Sequence, residues 1–210
     1  MLVALLSATL LSGCAGSDWA EPHPAPTAVG ALAPGFAPSE SPSPEATVNP
    51  ARGSWASVRP SPGMRVVLLT AGHDKPTKVL VGAIRKWADD EDVELRTVTA
   101  DGDPLGGVVR ATKLKPDLIV SAGNDLIDPL ATVTASHLGQ KFLVVGAEVA
   151  EPTANVTAVD WSGASFRGEG LGMPSSYDPG TFTAARCARG IRAGIAAVLT
   201  GMSGVVLWID

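Results

Sequence analysis

The sequence predicts an α/β fold built on a single doubly wound parallel sheet with helices on both faces. From residue 64 onward, short and almost wholly apolar runs alternate with segments of helical period. Apolar strands of this kind are buried on both faces, which is typical of parallel sheets. Right-handed crossovers then place helices on both sides of the sheet. Residues 64–210, about 147 residues, are close to the commonest domain size.

The elements follow in chain order. The first helix is indicated by apolar residues at helical spacing from Val79 to Trp87. An Asp-Pro pair opens each of the next two helices, because Asp caps a helix and Pro fits its first turn. The predicted strands are 65–70, 93–99, 117–122, 142–146, 156–161 and 205–209. The second helix begins at residue 103, the third runs from residue 128 to Gly139, and the last covers 184–199. The residues of the second and third helices that are predicted to face the core are Leu105, Val108, Val109, Leu130, Val133 and Leu138.

The first fourteen residues resemble a bacterial lipoprotein signal. Residues 2–11 have the length of a signal-peptide apolar region, and Leu11-Ser12-Gly13-Cys14 matches a lipobox. This pattern predicts a signal peptide over 1–13 and acylation of Cys14, which would hold the protein on the extracytoplasmic face of a bacterial cell membrane. The alternative is an ordinary cleaved signal, and the basic residues that usually precede the apolar region are missing. The apolar runs are too short for a spanning helix.

Residues 14–63 are predicted to be a disordered linker, followed by an α/β domain over 64–210. Ten of the 17 prolines lie between Pro22 and Pro62, and few large aliphatic side chains accompany them. Such a composition buries too little apolar surface to offset the entropy of ordering. The aromatic residues Trp19, Phe36 and Trp55 are interpreted as isolated side chains of this linker, with sites for a partner as the alternative.

Charge and cysteine content exclude several classes of protein. The net charge is −5 without a basic tract, which argues against nucleic acid as a partner. Two cysteines exclude a disulfide framework and a four-cysteine zinc site. Nucleophile elbow, Walker A and zinc-protease motifs are missing, so neither an enzyme nor a cofactor is predicted. Cys187 shares a helical stripe with Ile191 and Ile195, which favours a buried and inert thiol.

Ligands of doubly wound folds bind beyond the carboxyl ends of the strands, and polar residues cluster there. For His73, Asp74, Asn124 and Asp125, turn formation and helix capping are the commoner role of such residues, and ligand binding is the alternative. A metal site at His73 is the weaker reading, because the spacing matches no compact ligand motif. The candidate ligand-binding residues are His73, Asp74, Asn124, Asp125, Glu148, Asp160 and Trp161.

The order of these features resembles the basic membrane protein family of solute-binding lipoproteins. The resemblance lies in the lipobox and in Asp74-Lys75, 115–120, 141–145 and 155–159. It implies one lobe of a type I periplasmic-binding fold and a receptor role for an ABC importer, often of nucleosides. Asp74 is the family ligand position that carries over.

The chain departs from the family in three places. Pro76, Thr77 and Lys78 stand where the family has Ser-Phe-Asn, and Gly146 stands near the position of a ribose-binding carboxylate. The domain is also about half the length of a two-lobed receptor. Weak recognition of a small molecule is therefore expected, shared with a second lobe, a second protomer or an ABC permease. The alternative is an interaction or scaffold lipoprotein that keeps the fold without a pocket.

Two further segments are candidate contact surfaces. Arg186, Arg189 and Arg192 lie along one side of the last helix, either as a docking patch for an acidic partner or as a solvated face. The glycine-rich segment 168–180, with Met173, Pro174 and Tyr177, is a candidate lid or partner contact because long loops are often functional.

Overall fold

The computed structural model describes Trp19 and residues 21–150, 152–165 and 177–210. Seven parallel strands form one sheet in the order β2-β9-β8-β7-β6-β4-β5, and β1 pairs antiparallel with β3. The strands are β1 Ala28–Val29, β2 Thr47–Val48, β3 Arg59–Pro60, β4 Arg65–Thr70, β5 Glu94–Thr99, β6 Leu118–Ala122, β7 Phe142–Val145, β8 Val156–Asp160 and β9 Val206–Trp208. The helices are α1 Lys75–Asp90, α2 Pro104–Lys113, α3 Ile127–Thr134 and α4 Ala184–Leu199.

The predicted α/β fold class is confirmed. The strands β6, β7 and β8 are buried along their whole length, because helices cover both faces of the sheet. Helices α1 and α4 pack on one face, where Ile84 and Ile191 are fully buried. Helices α2 and α3 pack on the other face through Val108 and Leu130. Each face therefore has its own hydrophobic core.

Helix α3 ends five residues before the predicted Gly139. The side-chain amide of Asn155 donates to the carbonyls of Thr134, His137 and Gln140, at 3.2, 3.0 and 2.9 Å. These bonds hold the chain in turns instead of a further helical turn. Leu138, predicted to face the core, is 64% exposed as a result.

Leu105 is also exposed, contrary to its prediction. Helix α2 contacts the sheet through the stripe formed by Gly107, Val108 and Ala111, all of which are buried. Gly107 lies so close to Ala100 that a Cβ there would come within 2.3 Å of the Ala100 methyl group. Leu105, two residues before Gly107, therefore lies far round the helix from this stripe.

Residues 21–63 do not form the disordered linker that their composition predicts. Phe36 and Trp55 are 1% and 6% exposed in the core on the α1 and α4 face, with ring centroids 6.2 Å apart. Strand β2 extends the sheet beside β9, and the Glu45 amide donates to the Gly204 carbonyl at 2.7 Å. The buried rings of Phe36 and Trp55 and the pairing of β2 with β9 stabilise this segment, which its proline-rich composition does not indicate.

Trp19 is fixed on the opposite face of the sheet. Its indole NH donates to Glu94 at 2.8 Å, and the Arg96 guanidinium lies 4.3 Å from the centroid of its ring. Trp19 is thus a packed residue, contrary to its assignment as an isolated side chain of a linker. The residues of the predicted signal peptide and Cys14 lie outside the described part of the chain. Among the described helices, none has the length and apolar character needed to cross a bilayer.

Candidate functional site

A crevice lies at the carboxyl ends of β4, β6 and β7. The strand order reverses between β4 and β6, because β5 lies on one side of β4 and the later strands lie on the other. Doubly wound sheets bind ligands at this switch point. The space inside the crevice that is open to the centre of a water molecule is only about 10 Å³. Its walls include Asp74, Pro76, Thr77, Ser121, Gly123, Asn124, Ile127, Gly146, Ala147, Tyr177 and Phe182.

Asp74 caps helix α1 at one wall of the crevice. Its carboxylate accepts hydrogen bonds from the Thr77 amide at 2.9 Å and from the Thr77 hydroxyl at 2.7 Å. Burial alone would raise the pKa of Asp74, but the Thr77 hydrogen bonds outweigh it, so the pKa lies below its ordinary value. The crevice therefore carries a fixed negative charge at neutral pH.

Three aromatic residues form the opposite wall and its support. The rings of Trp161 and Phe182 meet edge to face at 5.0 Å, and Tyr177 packs on Phe182 at 6.2 Å. Gly146 permits this packing, because it has a φ of 79° and a Cβ there would come within 2.5 Å of the Phe182 ring. Burial, and then the Asp74 charge, raise the pKa of Tyr177, so its hydroxyl stays protonated.

The structure places two of the candidate residues that follow β4 and β6 in the crevice and the other two outside it. Asp74 and Asn124 line the crevice, and the Asn124 amide makes no side-chain hydrogen bond within the described part of the chain. Asp125 is exposed beyond the crevice wall. The His73 side chain is 78% exposed and pairs with Asp101 at 3.0 Å in a neighbouring shallow groove.

The candidate residues near β7 and β8 lie below the crevice. Glu148, Asp160 and Trp161 are 2%, 0% and 1% exposed and are not among its lining residues. Burial raises the pKa of Glu148 to about 8, and the charge of Asp160 and a hydrogen bond to Asp160 add to the shift. Burial also raises the pKa of Asp160 to about 6, against the lowering effect of the Trp161 amide and of Glu148. The two carboxyl groups therefore share a proton near neutral pH.

Residues that the sequence does not predict as site residues complete the crevice. Phe182 and Ser121 lie in its walls, and neither position has a local sequence signal beyond its place in the topology. Of the segment 168–180, Tyr177 lines the crevice, whereas Met173 and Pro174 lie outside the described residues. Within the ranges described above, the acidic, histidine and cysteine side chains form no group of three that could hold a metal.

Helix α4 carries the predicted cysteine and arginine features. Cys187 is fully buried, as predicted, and burial raises the pKa of its thiol to about 11, which favours the predicted inert group. Arg192 pairs with Glu91 at 2.8 Å, and Arg189 donates to the Asp210 carbonyl at 3.3 Å. The docking role of these arginines stays a prediction.

The fold defines the class: this chain is a doubly wound α/β protein with a crevice at the switch point of its parallel sheet. No protein-family model matches the chain, and no curated protein matches it either. Three solved structures are similar over part of their length. An ABC transporter solute-binding protein from Aeropyrum pernix K1 is 20% identical over 47% of this chain and 29% of its own, with a TM-score of 0.40.

The other two structures come from Conexibacter woesei DSM 14684. An ABC transporter solute-binding protein is 16% identical, covering 47% of this chain and 35% of its own, with a TM-score of 0.38. A periplasmic ribose ABC transporter protein is 14% identical, covering 71% of this chain and 54% of its own, with a TM-score of 0.34. This chain therefore spans between 29% and 54% of the structures that it resembles.

Proposed function

We propose that this chain is a membrane-anchored extracytoplasmic lipoprotein, related to the solute-binding proteins of ABC importers, that recognises a small molecule in the switch-point crevice. The observation that carries the proposal is the convergence of Asp74, Asn124 and Tyr177 on one crevice at the position where doubly wound sheets bind ligands. The motif resemblance at 115–120 and 141–145 favours the basic membrane protein family within this class.

The side chains of the crevice favour a neutral or cationic ligand that donates hydrogen bonds. Asp74 supplies negative charge, and Asp125 lies just beyond the wall, so an anion such as a phosphate would be repelled. The Asn124 amide offers both a donor and an acceptor. Tyr177 and Phe182 provide a surface on which a planar ring can pack. A nucleoside-like molecule has this combination of a ring with hydroxyl and amine groups.

Recognition by this chain alone is expected to be weak. Small-molecule sites usually bury most of the ligand surface in 300–1,000 Å³. The space inside this crevice, about 10 Å³, holds about one water molecule, so a ligand would bind mainly at its mouth. Contacts from a second lobe or a second protomer would cover the exposed part. A second candidate function is a scaffold lipoprotein without a ligand. It is favoured by the fact that Thr77 already occupies both carboxylate oxygens of Asp74.

Ligand binding can be tested by thermal unfolding in the presence of nucleosides, purines, sugars and amino acids. A ligand at 100 times its dissociation constant stabilises the protein by about 2.7 kcal/mol. Asn124→Ala and Tyr177→Ala should each reduce the shift, whereas Asn49→Ala, at an exposed position away from the crevice, should not. No shift with any compound would favour the scaffold. An unchanged shift in both crevice variants would place the ligand elsewhere.

The membrane anchor is tested separately. Mass spectrometry of the protein from bacterial membranes should show a diacylglyceryl group on Cys14 as the first residue. Cys14→Ser should appear in the soluble extracytoplasmic fraction. An unmodified Cys14 on secreted protein would refute the anchor without affecting the proposal for the crevice.

A further inference from the structure

Trp19 fixes the start of the described chain at one corner of the domain. It lies at the amino-terminal end of β5, where it bonds Glu94 and stacks with Arg96. The Arg65 guanidinium donates to the Glu21 carbonyl at 2.9 Å, and His23 pairs with Asp117 at 2.8 Å. The chain is therefore held at the amino-terminal ends of the strands, on the α2 and α3 face.

The distance from this corner to the proposed anchor is short. Trp19 lies five positions after Cys14, and a chain of that length spans at most about 17 Å in any conformation. A 50-residue disordered linker would hold the domain about 40 Å from the bilayer. Because Trp19 is packed, the domain stays close to the lipid surface if Cys14 is acylated.

The same corner carries three exposed lysines, Lys113, Lys115 and Lys141, together with the exposed Leu138; we call these four residues the lysine corner. Lys113 ends α2, and Lys115 precedes the Asp117 that holds His23. The Lys141 carbonyl accepts a bond from the Ile119 amide at 3.0 Å, which places it beside the start of β6. None of the three lysines forms an ion pair within the described ranges.

We propose that the lysine corner rests on the anionic surface of the membrane that carries the lipid on Cys14, so that the crevice points away from the bilayer. The inference rests on the proposed anchor and goes beyond it, because it assigns a contact surface and an orientation. Basic side chains next to an anchor add attraction to anionic headgroups. An exposed leucine among them is suited to the headgroup boundary.

Two carboxylates near Trp19 are already paired, Glu94 with Arg65 and Asp117 with His23. The acidic run 89–92 lies at the end of α1, on the opposite face of the sheet from Trp19. Asp90 pairs there with Lys86, and Glu91 pairs with Arg192. A chain with a net charge of −5 is repelled by an anionic surface in most orientations. Trp19, the first described residue after the proposed anchor, packs on the α2 and α3 face, and Lys113 of the lysine corner ends α2.

The test uses the full-length acylated protein, reconstituted in vesicles with or without anionic lipid. Cys187 is buried and Cys14 is blocked by its lipid, so one introduced cysteine can be labelled selectively. A fluorophore at Gln140→Cys reports on the lysine corner, and one at Asp125→Cys reports on the mouth of the crevice. Spin-labelled headgroups should quench the first label several-fold more than the second in anionic vesicles, and added salt should reduce the difference.

A matched pair of triple variants separates this contact from general electrostatics. Replacing the three lysines of the corner by Gln should remove the difference in quenching. The control Lys75→Gln/Lys78→Gln/Arg85→Gln removes the same charge from α1 and should leave it unchanged. Equal quenching of the two labels, or no effect of the corner variant, would refute the orientation. If Cys14 is found unmodified, coupling it to a maleimide lipid allows the same measurement, so failure of the anchor and failure of the orientation remain distinct.

Discussion

The buried pair Glu148 and Asp160 predicts that this protein is less stable at pH 8 than at pH 5. Both carboxyl groups are almost completely shielded from solvent, and no described cation pairs with either of them. Burial raises the pKa of Glu148 to about 8, well above the ordinary value of 4.5. Between these two pH values the folded state binds more protons than the unfolded state. Stability therefore falls as pH rises through this window.

The size of the effect follows from the shift. One pKa unit corresponds to about 1.4 kcal/mol, so ionising Glu148 in the folded protein costs on the order of 5 kcal/mol. Glu148→Gln keeps the shape of the side chain and its hydrogen bond to Asp160 but does not ionise. We expect the variant to be more stable than the native protein at pH 8 by a few kcal/mol, with a flatter dependence on pH.

The measurement is urea unfolding followed by circular dichroism at pH 5, 6, 7 and 8. Glu40→Gln, at an exposed position outside the core, is the matched control and should keep the native pH dependence. Below about pH 4 a second effect of opposite sign begins. The pKa of Asp74 is lowered, so its stabilising contribution is lost as this carboxylate is protonated. A native protein as stable at pH 8 as at pH 5, or a Glu148→Gln variant with the native slope, would refute the reasoning.

Four further substitutions test packing and hydrogen bonding, each by its effect on the free energy of unfolding. Phe36→Ala should destabilise the protein by about 3–5 kcal/mol because the ring is 1% exposed, whereas a disordered segment would show no change. Gly82→Ala should stabilise α1 by about 0.5–1 kcal/mol, because a Cβ there meets no atom within 4 Å. Gly194→Ala should destabilise α4, since its Cβ would come within 2.5 Å of the Leu143 side chain. If Gly82→Ala and Gly194→Ala changed the free energy of unfolding in the same direction, this account would be contradicted. Asn155→Ala should cost about 1–2 kcal/mol, because the Gln140 carbonyl loses its donor while the Thr134 and His137 carbonyls keep bonds from backbone amides. A loss below about 0.5 kcal/mol would show that the Asn155 side chain does not hold the turn.

The sequence predicts the sheet well, because its strands and helices have clear local signals. Strand β4 and helix α4 begin and end where the pattern indicates. The end of α3 depends on Asn155, about twenty residues further along the chain, so no local pattern could locate it. The exposure of Leu105 depends on the stripe that contacts the sheet, which periodicity alone does not select.

The segment 21–63 shows where reasoning from composition fails. Average hydrophobicity treats Phe36 and Trp55 as rare residues in a polar stretch, although each fills a gap in the core that other elements create. The crevice is likewise predicted only in part, because one of its walls depends on tertiary packing. Asp74 and Asn124 follow strands and could be located from the topology, whereas Phe182 reaches the crevice only through packing on Trp161 and close approach to Gly146.

The pairing of β2 with β9 has a consequence for the order in which the sheet can form. Thr47 pairs with Val206, so β2 must wait for a strand about 160 residues further along the chain before it joins the sheet. Contacts between such distant residues slow folding. Until β9 is in place, β2 has no partner in the sheet, and β8 remains an unpaired edge.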